Sequence, residues 1–248
     1  MSVNVERASV ISQADILRAF IDSVSRLGYR RVNLNDIARS LNCDLNVIRR
    51  QFSTKEALLL AVFQEYAHLG LQEFKGSQDL ESYTFEEKFQ LLADTYLEQL
   101  SNIRGFVEET VKPFAVAPLT LKKLRTSLAE VHQQDLRLLL KQARDEAELP
   151  PLLFVKPLTT VCCDFLFHLT YFWAKDQSEH CSDSSKYIEL CTDFLASKIK
   201  SGTGDKAMAI IRFGAQRCAS EMNEKLECYL PVYKTLKTFF REKPLNER

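Results

Sequence analysis

Between Ser12 and Phe74 the chain spells three short amphipathic helices that feed one long one, and this run constrains the fold more than any other feature. Ser12, with Asp15 three residues on, is a capping pattern, and Ile16, Leu17, Phe20, Ile21, Val24 and Leu27 then form one apolar stripe that Gly28 ends. Asn33 and Asp36 repeat the capping pattern before Leu34, Ile37, Ala38 and Leu41. After the small turn Leu41-Asn42-Cys43, Asp44 caps a third piece with Ile48 and Phe52 on one face and Leu45 at its edge. Ser53-Thr54 then open a long helix to about Phe74, with Leu58, Leu59, Val62, Phe63, Tyr66 and Leu69 inward.

The rest of the chain reads as helical too. Seven glycines and seven prolines in 248 residues leave little turn punctuation, and no alternating run is bounded by hairpin signals. Helices are expected over Thr84 to Asn102, from Arg104 with interruptions at Pro113 and Pro118, over Leu119 to Glu148, Val155 to Lys175 and Lys186 to Lys200. "SGTGD" is the best linker, and Lys206 to Leu230 and Val232 to Lys243 read as two more helices. The expected class is all-α.

Charge is unevenly spread although the formal net charge is zero. Residues 1–78 carry 10 basic and 8 acidic side chains, residues 79–197 carry 12 and 19, and residues 198–248 carry 11 and 6. Between Arg18 and Lys55 the balance is 8 basic to 3 acidic. Positive charge therefore gathers at the two ends, around an acidic middle.

Two short helices joined by a tight turn make a helix-turn-helix, whose second helix can enter the DNA major groove. In this chain that helix places Asn46, Val47 and Arg50 toward base edges, while Arg49, Gln51 and Lys55 can hold phosphates. The second helix's start, at Asn33 and Asn35, offers backbone donors to a further phosphate. The plain alternative is a solvated face bearing two arginines.

The stretch from Ile16 to Phe63 resembles the DNA-binding domain of the TetR family of bacterial regulators, through "GYRRVNLNDIARSLNCDLNVIRRQFSTKEALL". It departs from the family's pattern at Val47, Ile48 and Arg49, where Thr, Leu and Tyr are usual, and at Gln51 and Asn42, where His and Gly are usual. The resemblance implies a DNA-binding domain over 10–56 and a helical ligand-binding and dimerisation domain over 57–200. A basic helical tail at 205–248 lies beyond the usual family length. It also implies a homodimer on a palindromic double-stranded operator, with the helices near 155–175 and 186–200 pairing through the surplus apolar face of Phe165, Phe172, Tyr187, Ile188 and Phe194. A repressor released by a small apolar ligand is the expected activity; the alternative is a related helical protein whose first domain binds another protein.

Phe89, Leu92, Tyr96, Phe114, Leu128, Phe165, His168 and Trp173 are the expected lining of a ligand cavity in the acidic middle. Dinucleotide, P-loop, zinc-protease and hydrolase-elbow motifs are all missing from the sequence, so neither an enzyme nor a cofactor is expected. The seven cysteines show no metal-ligand spacing, and neither Cys162-Cys163 nor His180-Cys181 is expected to sit in an electropositive setting. The apolar run Leu158 to Ala174 is broken by Asp164 and His168 and reads as a buried helix, and "MSVNVERASV" has no secretory pattern, so a cytoplasmic protein off the membrane is expected.

Overall fold

The structure is a computed structural model that describes residues 11–112, 115–149 and 155–201. The described elements are α1 (Gln13–Leu27), α2 (Leu34–Ser40), α3 (Leu45–Gln51), α4 (Lys55–Gly76), α5 (Phe85–Ser101), α6 (Arg104–Val111), α7 (Pro118–Asp145), α8 (Val155–Trp173) and α9 (Ser182–Ser201), with two 3-10 turns at Leu80–Ser82 and Glu179–Cys181. No strand occurs among the described residues. The expected tail at 205–248 and Phe114 lie outside them.

Local chemistry sets the helix starts. Ser12 with Asp15, Asn33 with Asp36 and Thr84 with Glu87 each form a reciprocal capping box. Thr54 caps α4 at Ala57 N, and Gly28 closes α1 at φ 81°, a conformation a side chain would strain. Pro118 does not interrupt a helix. It occupies the first turn of α7, where its missing N–H would have had no partner anyway. Helix α9 begins four residues before the expected Lys186.

α1, α2 and α3 close a small core of Ile16, Phe20, Val24, Ile37 and Ile48 over the first half of α4. Helix α4 continues without a break into the second body, where it packs most extensively on α5 and then on α7, while α7 packs on α8. Gly70 permits the close approach to α5, since a Cβ there would stand 2.8 Å from Tyr96 Cα. The two bodies are also joined by α6 on α1: Phe106 meets Phe20 and Phe63, and Gly105 faces Ser25. Leu27 and Leu69, expected inward, are exposed, because the stripe outlasts the surface it packs on.

Candidate nucleic-acid interface and regulatory core

The turn between α2 and α3 has a defined geometry. Cys43 N donates to Ala38 O at 2.9 Å and Asn42 N to Arg39 O at 3.1 Å, the paired bonds of a Schellman closure. Asn42 sits at φ 48°, the left-handed conformation that asparagine tolerates better than other side chains. Asp44 Oδ1 then accepts from Asn46 N at 2.7 Å and starts α3 in a new direction.

In α3 Ile48 is fully buried and Phe52 caps the helix inside the core, which turns Asn46, Arg49 and Arg50 outward and leaves Val47 half-buried. Neither arginine makes a hydrogen bond or ion pair among the described residues. Other guanidiniums are held by carboxylates, Arg39 by Asp36 and Arg125 by Asp164. Two adjacent free cations on a helix fixed from beneath are arranged to meet an external anion.

The other expected contacts are placed differently. Lys55 Nζ donates to Tyr29 O at 2.9 Å and Val32 O at 3.0 Å and lies 4.4 Å from the Tyr29 ring centroid, and burial lowers its pKa. It closes the loop between α1 and α2. Gln51 Nε2 donates to Ile11 O at 3.1 Å. At α2 the Asn33 side chain takes the N–H groups of Asn35 and Asp36, so the first-turn donors counted for a phosphate are spent on the cap. Of the residues expected to meet DNA, Asn33, Asn35, Asn46, Arg49, Arg50 and Gln51 are exposed, and Val47 and Lys55 are half-buried.

The residues expected to line a cavity are brought together, but against one another. Phe89 and Phe165 meet at 5.5 Å between centroids, Tyr96 OH shares a hydrogen bond of 2.9 Å with Thr170 Oγ1, and Leu92, Leu128, His168 and Trp173 are all buried. They form packed core. Trp173 alone of the set borders a described cleft, one of about 200 Å³ between Asp94, Glu98 and Ser184. A larger cleft of about 400 Å³ lies between α4 and α7, and none of the expected lining residues reaches it.

Phe165, Phe172, Ile188 and Phe194 are buried within one chain, and Tyr187 stacks on Phe172 at 4.6 Å. Phe167, Tyr171, Tyr187 and Leu190 of the same two helices keep partial exposure.

Buried polar groups escaped the sequence reading. Arg125 Nε and Nη2 both reach Asp164 at 2.5 Å, a fork that ties α7 to α8. The signal was present, since a carboxylate inside an apolar run demands a cation. His132 is buried beside Tyr96, neither of its ring nitrogens has a hydrogen-bond partner among the described residues, and burial, with His68 nearby, pulls its pKa down to about 4. Arg104 joins three segments: Nε holds Glu108, Nη2 donates to Asp176 O at 2.8 Å and Nη1 lies 3.1 Å from Cys181 Sγ. Cys181 lies beside one cation, Arg104, because a residue 77 positions away in sequence folds over it. For Cys163 the expectation stands, as burial raises its thiol to about 12. No cluster of three metal-ligating side chains occurs among the described residues, and none of their helices is long and apolar enough to cross a membrane.

A capped helix-turn-helix set on a long helix that runs into a second, all-helical body defines the fold class as all-α with an N-terminal helix-turn-helix. Solved structures place the chain more narrowly, in the fold of TetR-type regulators. The fatty acid degradation regulator FadR from Bacillus halodurans is 18% identical with a TM-score of 0.55, covering 75% of this chain and 98% of its own. FadR from Bacillus subtilis, solved in complex with stearoyl-CoA, is 16% identical with a TM-score of 0.55, covering 78% and 100%. A TetR transcriptional regulator from Nitrosomonas europaea is 19% identical with a TM-score of 0.55, covering 74% and 97%. At these identities the likeness is one of fold. No protein-family model matches the chain, and no curated protein does. Each of these three is named as a regulator.

Proposed function

We propose that the protein is a DNA-binding transcriptional repressor that reads a palindromic operator as a homodimer and is released by a small ligand. The observation that carries this reading is α3 itself: Arg49 and Arg50 stand exposed and unpaired on a helix whose opposite face is locked by Ile48 and Phe52. Arg50 and Asn46 read bases, and Arg49 holds a phosphate. Residues 10–56 form the reading domain and 57–200 the controlling one. The twofold surface is assigned to α8 and α9, where Phe167, Tyr171, Tyr187 and Leu190 keep partial exposure. That a protein of this fold was solved with stearoyl-CoA supports a small-molecule effector.

Selection of bound sequences from random duplex DNA tests the reading. Enrichment of a palindrome, with a complex that weakens steeply between two salt concentrations, is the expected result. Binding without any enriched sequence, or none at all, overturns it in favour of a protein-binding first domain.

A further inference from the structure

We propose that Lys55 is a positioning residue that clips the turn at residues 28–32 beside the end of α3, and that Arg31 in this turn contacts a DNA phosphate. The inference rests on the operator reading given above. It adds a cation outside α3 to the interface and gives Lys55 a role other than the phosphate contact expected from the sequence.

The turn is held from several sides. Arg31 N donates to Gly28 O at 3.1 Å and Val32 N to the same oxygen at 3.4 Å, with Gly28 at φ 81°. Tyr29 and Val32 are buried, and the Tyr29 ring stands edge-on to Phe20 at 6.4 Å between centroids. The carbonyls of both residues face α4, where the Lys55 ammonium donates to them at 2.9 and 3.0 Å and lies 4.4 Å from the Tyr29 ring centroid. An ammonium has three N–H groups on one compact head, so spending two of them on carbonyls three residues apart closes the turn. Burial of Tyr29 and Val32 leaves Arg30 and Arg31 exposed between them.

Arg31 makes no hydrogen bond or ion pair among the described residues, a state it shares with Arg49 and Arg50. Two carboxylates flank the turn without pairing with it. Glu109 of α6, beside Gly28, is taken by Lys112, and Glu56 acts on Lys55.

Position decides what Arg31 meets. Helix α3 has seven residues and is about 10 Å long, close to the roughly 12 Å width of the major groove, so its C-terminal end comes near one phosphate wall. Lys55 follows Gln51, the last residue of α3, by four positions, at most about 14 Å of chain. The clip therefore sets Arg31 beside that end. A free guanidinium there adds a phosphate contact and reads no base.

Titration of the full chain at several salt concentrations, on its selected palindrome and on random duplex DNA, tests the proposal. Arg31→Ala should weaken both DNAs by the same factor and shorten the salt slope by about one unit per half-site. Its melting temperature should stay that of the parent, because the side chain is exposed. Lys55→Met releases the turn and should shorten the slope by the same amount, and Lys55→Met/Arg31→Ala should shorten it no further. A Lys55 that itself holds a phosphate gives about two units per half-site in the double variant, a result that would overturn the positioning role. An unchanged slope in Arg31→Ala, or a loss confined to the palindrome, would overturn the phosphate contact, and this variant decides alone if Lys55→Met does not fold. A parent that binds no DNA removes the operator reading and this inference together. A parent that binds, loses slope in Arg49→Ala and loses none in Arg31→Ala overturns this inference only.

Discussion

The rings of Phe20 and Phe106 meet edge to face, with centroids 5.6 Å apart, and through this contact α6 of the second body presses on α1 of the helix-turn-helix. Phe106 also meets Phe63 of α4 at 5.7 Å and is wholly buried, so a single side chain touches both α1 and α4.

Phe106→Ala should therefore cost about 3–5 kcal/mol, the usual loss for deleting a buried ring that leaves a cavity. Chemical denaturation checks the size. A loss below about 1 kcal/mol would mean that the two bodies do not rely on this contact.

Arg50→Ala should weaken operator binding by about 1–3 kcal/mol and relax preference mainly at one base position per half-site. Arg49→Ala should instead weaken binding to all sequences alike and shorten the salt slope by about one unit per half-site. Neither change should alter stability by more than about 0.5 kcal/mol, as both side chains are exposed. Parental binding by both variants would leave the arginines as ordinary surface charge.

His132 gives a pH dependence of stability. Its folded pKa is lowered from 6.5 to about 4, chiefly by burial, with His68 adding to the effect and Asp135 opposing it. Above pH 6.5 both folded and unfolded forms are neutral there. Below it the unfolded chain takes up a proton that the folded chain refuses, so stability falls as pH drops from 6.5 toward 4, by roughly 3 kcal/mol at the lower end. His168, lowered to about 3 by burial and then by Arg125, adds a loss of the same sign. Denaturation curves of His132→Leu across this window should show a shallower decline than the parent. An identical slope would refute the assignment.

Removing one partner of the Arg125–Asp164 fork should cost more than removing both. Asp164→Leu strands a guanidinium that is only partly solvated, a loss of about 2–4 kcal/mol, while Arg125→Met/Asp164→Leu should recover most of it. Thermal melts of the parent, Arg125→Met, Asp164→Leu and the double variant decide the matter, and additivity of the two single losses would rule out a coupled pair.

Gly70→Ala in α4 should destabilise although alanine is the better helix former. The added Cβ would stand 2.8 Å from Tyr96 Cα, a backbone atom that cannot move aside alone, so overpacking of about 1–3 kcal/mol wins over the propensity gain. A more stable variant would show that α4 and α5 can separate freely.

What the sequence by itself determined is whatever depends on residues a few positions apart. The caps at Ser12, Asn33, Asp44, Thr54 and Thr84 each satisfy N–H groups two or three residues on, and the left-handed Asn42 closes α2 with bonds that span five residues or fewer. The helix-turn-helix and the outward arginines follow from that local chemistry together with the apolar period. Tertiary structure decided the rest. Lys55 was free to hold a phosphate until the carbonyls of Tyr29 and Val32, more than twenty residues earlier, claimed its ammonium. Arg104 found Asp176 and Cys181 only because α6 lies beside the end of α8. The aromatic residues of the middle were legible as buried, but whether they enclose a space or fill it depends on how α5, α7 and α8 fit side by side. Periodicity fixes which face of a helix turns inward; it does not fix the distance to the helix opposite, and that distance is what separates a core from a cavity.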